Sequence, residues 1–366
     1  MASDEPDERV ADAPVPDAPV LSARTRNRTL LARQQLLQRT TSPITDTLDI
    51  IGGIQAQYAP SMYVGLWSRI EGFTRAQLTG ALEARTAVQG TMMRATIHLV
   101  SAQDYWPLTL AVRDHRRRWW LQTQRFGLTD GLMRDASAKA VERLSHGPAS
   151  NAELAAHIGK DVMAGIHEYV DLVRIPPSGT WAKRRADLYA TATSWLGPEP
   201  DMSPLDALRH ATGRDLSGFG PSRPRDIATW ASVPMTAMRE ALGAMSLASF
   251  AGTDGEALVD LPDLALADEA TPAPVRLLPT WDATMLVHAR ATGIVIEEDR
   301  PRIFTTKNPQ SISTFLVDGV VAGSWRHDGA RVVTEPFRPL PSDAQRAVRD
   351  EAERIEALFA EIEPHA

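Results

Sequence analysis

Three times along this chain a short capped helix leads into a β-like stretch, and that recurrence limits the fold more than any other feature of the sequence. Thr74-Arg75-Ala76-Gln77-Leu78 has the capping-box form, a hydroxyl residue followed three positions later by Gln, and opens a short amphipathic helix. Ser150-Asn151-Ala152-Glu153-Leu154 repeats the device, with Ala155, Ala156 and Ile158 continuing the helix and Gly159 ending it. Ser222 and Pro224-Arg225-Asp226-Ile227-Ala228 open the third, which Trp230 ends; Ser232-Val233-Pro234 turns the chain and Met235–Met245 makes a second helix. The β-like stretches are Thr96–Val100, Val170–Ile175, and Leu247–Phe250 with Leu258–Leu261, where Gly252, Asp254 and Gly255 occupy a hairpin tip.

Helix, turn, helix and hairpin is the outline of a winged helix, and a recurrence of about 75 residues predicts three in tandem. Three unrelated helical hairpins in an α+β core would leave the same marks. The expected fold class is α+β: three winged-helix motifs and a β-rich C-terminal region, forming a C-shaped cradle. The expected boundaries are a disordered acidic arm over 1–22, N-terminal helices with the first winged helix over 23–140, the second over 141–221 and the third over 222–274. A β-rich region then covers 275–340 and an acidic helix 341–366. Within 275–340, Ile294-Val295-Ile296, Ser313–Val317, Val320–Trp325 and Val332-Val333 read as strands, with Asp318-Gly319 as a two-residue hairpin turn.

The chain has 366 residues, no cysteine and a net charge of -7. Without cysteine, disulfides, thiolate nucleophiles and Cys-based zinc sites are excluded. No apolar run reaches membrane-spanning length and no signal peptide is evident, so the expected location is the cytoplasm. The acidity is concentrated at the ends, and the body between residues 21 and 340 is slightly basic, so the overall charge does not exclude nucleic acid. No phosphate-binding loop, dinucleotide fingerprint, HExxH or GxSxG motif occurs, and the nine histidines show no metal-ligand spacing. No metal and no cofactor is expected.

Two local patterns carry chemistry. In Ile50-Ile51-Gly52-Gly53-Ile54-Gln55-Ala56-Gln57-Tyr58-Ala59-Pro60, an apolar helix runs into two glutamines. On a continuing helix, positions two apart diverge by about 200° and share no target; on an unwound segment both amides converge. In Met93-Arg94-Ala95-Thr96-Ile97-His98-Leu99, Arg94 and His98 interrupt an apolar, strand-like run. A cation there needs a buried partner or a phosphate. Nearby, Arg113, Arg116, Arg117 and Arg118 precede Trp119-Trp120, either a track for a phosphate backbone or a solvated helix face over core tryptophans.

These segments, with Leu278-Pro279-Thr280-Trp281-Asp282, Phe315-Leu316-Val317-Asp318-Gly319 and Gly323-Ser324-Trp325-Arg326, resemble the AlkZ/YcaQ family of DNA glycosylases in order and approximate spacing from about residue 25 to 340. The resemblance implies tandem winged helices cradling double-stranded DNA, and a monofunctional enzyme acting as a monomer near the bacterial nucleoid. It implies excision of bulky N7-alkylguanines, unhooking of interstrand crosslinks, and self-resistance to a DNA-alkylating natural product. Gln55 and Gln57 fit the family's Gln-x-Gln branch, similar to enzymes acting on azinomycin crosslinks. The chain departs from the Gln-x-Asp branch at Gln57, and Ala56 is smaller than the usual middle residue. By that resemblance Gln55 and Gln57 are catalytic, Asp318-Gly319 probes a DNA groove, and Arg94, His98, Lys307 and Arg326 are DNA contacts. A non-catalytic winged-helix transcription regulator is the competing expectation; it accounts for the repeats and leaves the glutamines without a role.

Overall fold

A computed structural model describes residues 17–304 and 311–361. Strand β1 (Val20–Leu21) and helix α1 (Ala23–Arg33) open the chain. The expected arm over 1–22 thus ends in a strand, and residues 1–16 of it lie outside the described residues. Helix α2 (Ile44–Ile51), β2 (Ile54–Gln55), α3 (Ala59–Trp67), α4 (Arg75–Glu83), β3 (Ala87–Thr91) and β4 (Ile97–Ser101) follow. The strands are ordered β2-β4-β3. After the long α5 (Ala102–Thr123) come α6 (Asp130–Ser145), β5 (Ala149–Ser150), α7 (Asn151–Ile158), α8 (Ile166–Tyr169), β6 (Leu172–Arg174) and β7 (Leu188–Thr191), ordered β5-β7-β6.

A short α9 (Ala192–Leu196) leads to α10 (Pro204–Phe219), α11 (Pro224–Ala231), α12 (Met235–Gly243), β8 (Ala248–Gly252) and β9 (Ala257–Asp260). Here an isolated bridge from Ser222 to Val259 takes the place of the first strand, and β8 also pairs in parallel with β1. The same topology therefore occurs three times: a helix, a short strand or bridge, two helices, and a hairpin whose second strand lies in the middle. The capping boxes at Thr74/Gln77 and Ser150/Glu153 form as written in the sequence.

The first two repeats are joined through their hairpins. Strand β3 pairs antiparallel with β6, Gln89 opposite Arg174 and Gly90 opposite Val173, so the strands make one six-stranded sheet, β2-β4-β3-β6-β7-β5. Tyr105 packs where a Cβ on Gly90 would stand, 2.6 Å from the ring, so glycine lets α5 lie close against this seam.

The C-terminal region is a four-stranded antiparallel sheet of β10 (Arg276–Leu278), β11 (Thr314–Val317), β12 (Val320–His327) and β13 (Val332–Pro336), backed by α14 (Ser342–Ala360). A single helical turn, α13 (Arg300–Ile303), sits in the β10–β11 connection. Ile294-Val295-Ile296 is not a strand: Gly293 turns with φ +65°, and Ile294 and Val295 are buried as turn residues. Burial alone accounts for their apolarity.

Arginine–carboxylate pairs buried between these parts fix their arrangement. Arg69, after α3, makes a two-pronged pair with Asp282 at 2.9 and 3.0 Å. Arg33 of α1 pairs with Asp260 at 2.7 Å, and Arg39 with Glu351 of α14 at 2.6 Å. The Asp318-Gly319 turn is equally engaged. Asn27 donates to the Gly319 carbonyl, Arg24 and Arg28 to Asp318, and a Cβ on Gly319 would lie 2.5 Å from Arg28 and Asn27 atoms. The turn forms as the sequence indicated, but it is docked on α1. These contacts tie the C-terminal sheet to the N-terminal helix.

Candidate active site

Two consecutive left-handed glycines produce the site. Helix α2 ends at Gly52 (φ +75°), Gly53 (φ +78°) completes the turn, and the chain enters β2 extended, so the glutamines are not helical. A Cβ on Gly53 would sit 3.0 Å from the Leu99 carbonyl oxygen. Gln55 pairs across the ladder with His98 of β4, and the Ala56 N–H donates to the Ile97 carbonyl. Gln55 is buried and Gln57 exposed.

The two amides meet: Gln55 Nε2 donates to Gln57 Oε1 at 2.7 Å. Arg94 sets this direction. It lies in the β3–β4 turn rather than in a strand, with φ +55°, followed by Ala95 at +52°. Its Nη2 donates to Gln55 Oε1 at 3.1 Å and its Nη1 to the Trp230 carbonyl at 3.2 Å, at the end of α11. A guanidinium is donor-only, so it holds the Gln55 oxygen toward itself and turns the Gln55 NH2 group toward Gln57. Burial lowers the Arg94 pKa to about 10, which leaves it cationic at neutral pH.

His98 Nδ1 faces the Thr96 carbonyl at 3.1 Å and its Nε2 faces Arg94 at 3.4 Å. Burial, then Arg94, depress its pKa to about 3, so the ring is neutral: Nδ1–H donates to Thr96 and Nε2 accepts from Arg94. Half-buried Arg94 and buried His98, both expected as DNA contacts, adjoin the glutamines, and Arg94 meets carbonyl oxygens in place of a carboxylate.

The network opens on a cleft of about 690 Å³, lined by Gln55, Gln57, Arg94 and Thr96 on one side and Trp281, Met285, Leu286, Val287, Arg300 and Phe304 on the other. Trp281 adopts φ +59°, a rare conformation for a bulky residue, and its N–H donates to Ser311 Oγ at 2.6 Å. Arg300 stacks on Phe304 at 4.7 Å. This far wall comes from residues more than 200 positions beyond the glutamines, and nothing local in the sequence announces Arg300 or Phe304.

Arg326 is absent from this cleft. It is exposed, 3.8 Å from Glu335, in a neighbouring concavity that also holds Tyr58, Arg184 and His327. Lys307 lies outside the described residues. Among the described residues no group of three or more His, Asp or Glu side chains is placed to hold a metal, and no helix is long and apolar enough to cross a membrane.

The family profile described as "DNA glycosylase AlkZ-like" matches residues 48–358. The solved structure of Streptomyces sahachiroi DNA glycosylase AlkZ superposes with a TM-score of 0.78 at 19% identity, covering 93% of this chain and 97% of that one. No curated protein sequence matches. With most of its length matched from within α2 to within α14, the chain belongs to the AlkZ-like family of DNA glycosylases.

Proposed function

We propose that this glycosylase hydrolyses the N-glycosidic bond of bulky N7-alkylguanines in double-stranded DNA, unhooks crosslinks carrying that lesion, and protects its producer from a DNA-alkylating natural product of the azinomycin kind. The three repeats are read as winged helices forming a C-shaped cradle, in a monomer acting at the bacterial nucleoid. The observation that carries the proposal is the hydrogen-bonded run from Arg94 through Gln55 to Gln57, opening on the cleft.

N7 alkylation makes guanine cationic, so the base leaves without a strong general acid. The C1′–N9 electron pair passes into the ring and neutralises it, a water oxygen bonds to C1′, and that water's proton goes to solvent. What remains for the protein is placement and charge complementarity. Gln57 Oε1 accepts from Gln55 with one lone pair and offers the other to the water or the developing oxocarbenium. Gln55 Oε1, held by Arg94, keeps the pair aligned, and the Arg94 charge is directed at two carbonyl oxygens. An amide is too weak a base to activate water against a neutral nucleoside, which restricts the site to activated lesions. Exposed Arg326 is read as a phosphate contact.

The test is base release from a duplex carrying one N7-alkylguanine. Wild type is expected to release it well above spontaneous depurination, and Gln55→Ala and Gln57→Ala to lose about 100-fold or more while still binding DNA. Release surviving both substitutions discards this site; no release by wild type, on a small or a bulky adduct, favours the transcription regulator.

A further inference from the structure

The arginine-rich stretch before Trp119-Trp120 is divided in two by the fold. Arg113 pairs with Asp171 and Glu199, Arg116 is buried against Glu168 and donates to the Thr91 and His167 carbonyls, and Arg117 stacks on Tyr169. Trp120 is core. These residues hold α5 against the second repeat. Arg118 and Trp119 stand outside: Trp119 is 53% exposed, and Arg118 meets only the Asp114 carbonyl and His115 Nδ1, with no carboxylate among the described residues. Gln122, also exposed, lies one turn further along α5, and exposed Arg125 and Phe126 follow just past its end at Thr123.

This face borders a concavity of about 550 Å³, lined by Arg94, Ala95, His115, Arg118, Trp119 and the Ser232-Val233-Pro234 turn, without an acidic residue. It shares Arg94 with the glutamine cleft, and the cleft adjoins the Arg326 concavity at Gln57-Tyr58 and Thr280-Trp281. The glutamine cleft thus lies between the other two concavities, sharing Arg94 with one and bordered by chain neighbours of the other.

We propose that the strand leaving the lesion crosses the Arg94-Ala95 turn into this concavity, where Arg118 takes a backbone phosphate and Trp119 packs against a deoxyribose, and that exposed Arg125, just past the end of α5, takes a phosphate further along. The inference rests on the glycosylase reading only for which site the strand leaves; the surface itself binds DNA through backbone charge, independently of sequence or damage. A duplex seated here lies along α5 on one flank and over Arg326 on the other, with the reacting sugar held between.

The test uses full-length protein and an undamaged, fluorescently labelled duplex, with Arg118→Ala, Arg125→Ala and Trp119→Ala titrated across a range of salt. Each variant is expected to bind about 5- to 10-fold more weakly, and each arginine variant to make the slope of log Kd against log salt shallower by about 0.9, one phosphate contact. Arg209→Ala, an exposed arginine on α10, serves as control and is expected to match wild type. Unchanged affinity and slope in these three variants overturns the proposal. Binding to undamaged duplex does not involve base release, so a loss of affinity in a protein that excises nothing refutes the enzyme reading and leaves this surface standing.

Discussion

Arg94 and Gln55 are joined by a charge-assisted hydrogen bond of 3.1 Å that crosses from the β3–β4 turn to β2, and this bond decides which end of the Gln55 amide faces the second glutamine. The same arginine reaches the third repeat through the Trp230 carbonyl. Two repeats therefore act together on one amide.

Removing that arginine should disorganise the pair without emptying the cleft. Arg94→Ala is expected to slow single-turnover base release by about 10- to 100-fold, the range for a lost hydrogen bond to a charged group, with DNA affinity changed much less. Arg94→Lys, which keeps the charge and one donor, should recover part of the rate. Equal losses in Ala and Lys variants, or a loss confined to binding, would contradict the positioning role.

Nothing in the network titrates near neutrality. His98 protonates only at about 3 and Arg94 loses its proton at about 10. The single-turnover rate should therefore be flat between about pH 5 and 9 and decline as pH approaches 10, where the cation facing Gln55 is neutralised. A rate limb with a midpoint near 6.5 would identify a histidine acting as base and refute this.

The buried imidazole also couples folding to pH. Its folded pKa lies below the ordinary 6.5, so its contribution is complete above 6.5 and declines as pH falls from 6.5 toward 3, where only the unfolded chain takes up the proton. His98→Asn should flatten that part of the stability curve, measured as Tm at pH 7 and pH 5. An unchanged pH dependence of Tm would show that other groups dominate.

Asp282 is the structural half of the Trp281-Asp282 pair. Burial would raise its pKa, but Arg69 and the Thr284 hydrogen bonds outweigh burial and hold it below the usual 3.8. Its contribution is present above that value and lost as pH falls below it. Asp282→Asn leaves Arg69 uncompensated and should cost about 3–5 kcal/mol in denaturant unfolding at pH 7. A cost under about 1 kcal/mol would mean the pair does not secure Trp281's segment.

Gly53 tests the entry to β2. Gly53→Ala forces a Cβ at φ +78° to within 3.0 Å of the Leu99 oxygen, which should destabilise the fold by about 1–2 kcal/mol and misplace Gln55, slowing base release more than the stability loss explains. Full activity in a folded Gly53→Ala protein would show that the turn tolerates displacement.

What could be read from the sequence was local. Thr74 with Gln77 and Ser150 with Glu153 are short-range signals whose meaning does not depend on the rest of the chain, and the Asp318-Gly319 turn follows from two residues that accept positive φ. The glutamine pair was legible through its resemblance to a family motif; the consecutive glycines Gly52 and Gly53 are what take it out of the helix. Apolarity misled at Ile294 and Val295, which are buried in a bend and not in a strand, and at Arg94, whose left-handed φ has no marker outside glycine. Much of the far wall of the cleft was illegible because Arg300 and Phe304 come to face the glutamines only after the three repeats have packed. The arginines of α5 could be sorted into structural and free only once Asp171, Glu199 and Glu168 were in place beside them.

The antiparallel pairing of β3 with β6 has a mechanical consequence. Strand β3 is the first half of the hairpin whose turn carries Arg94, and its other neighbour belongs to the second repeat. Opening those two modules like jaws would tear a hydrogen-bonded ladder, so the hairpin that presents Arg94 to the glutamines is anchored to the second repeat as well as to its own. A displacement of the second repeat would therefore be felt at the Arg94 turn, and through it at the Gln55 amide.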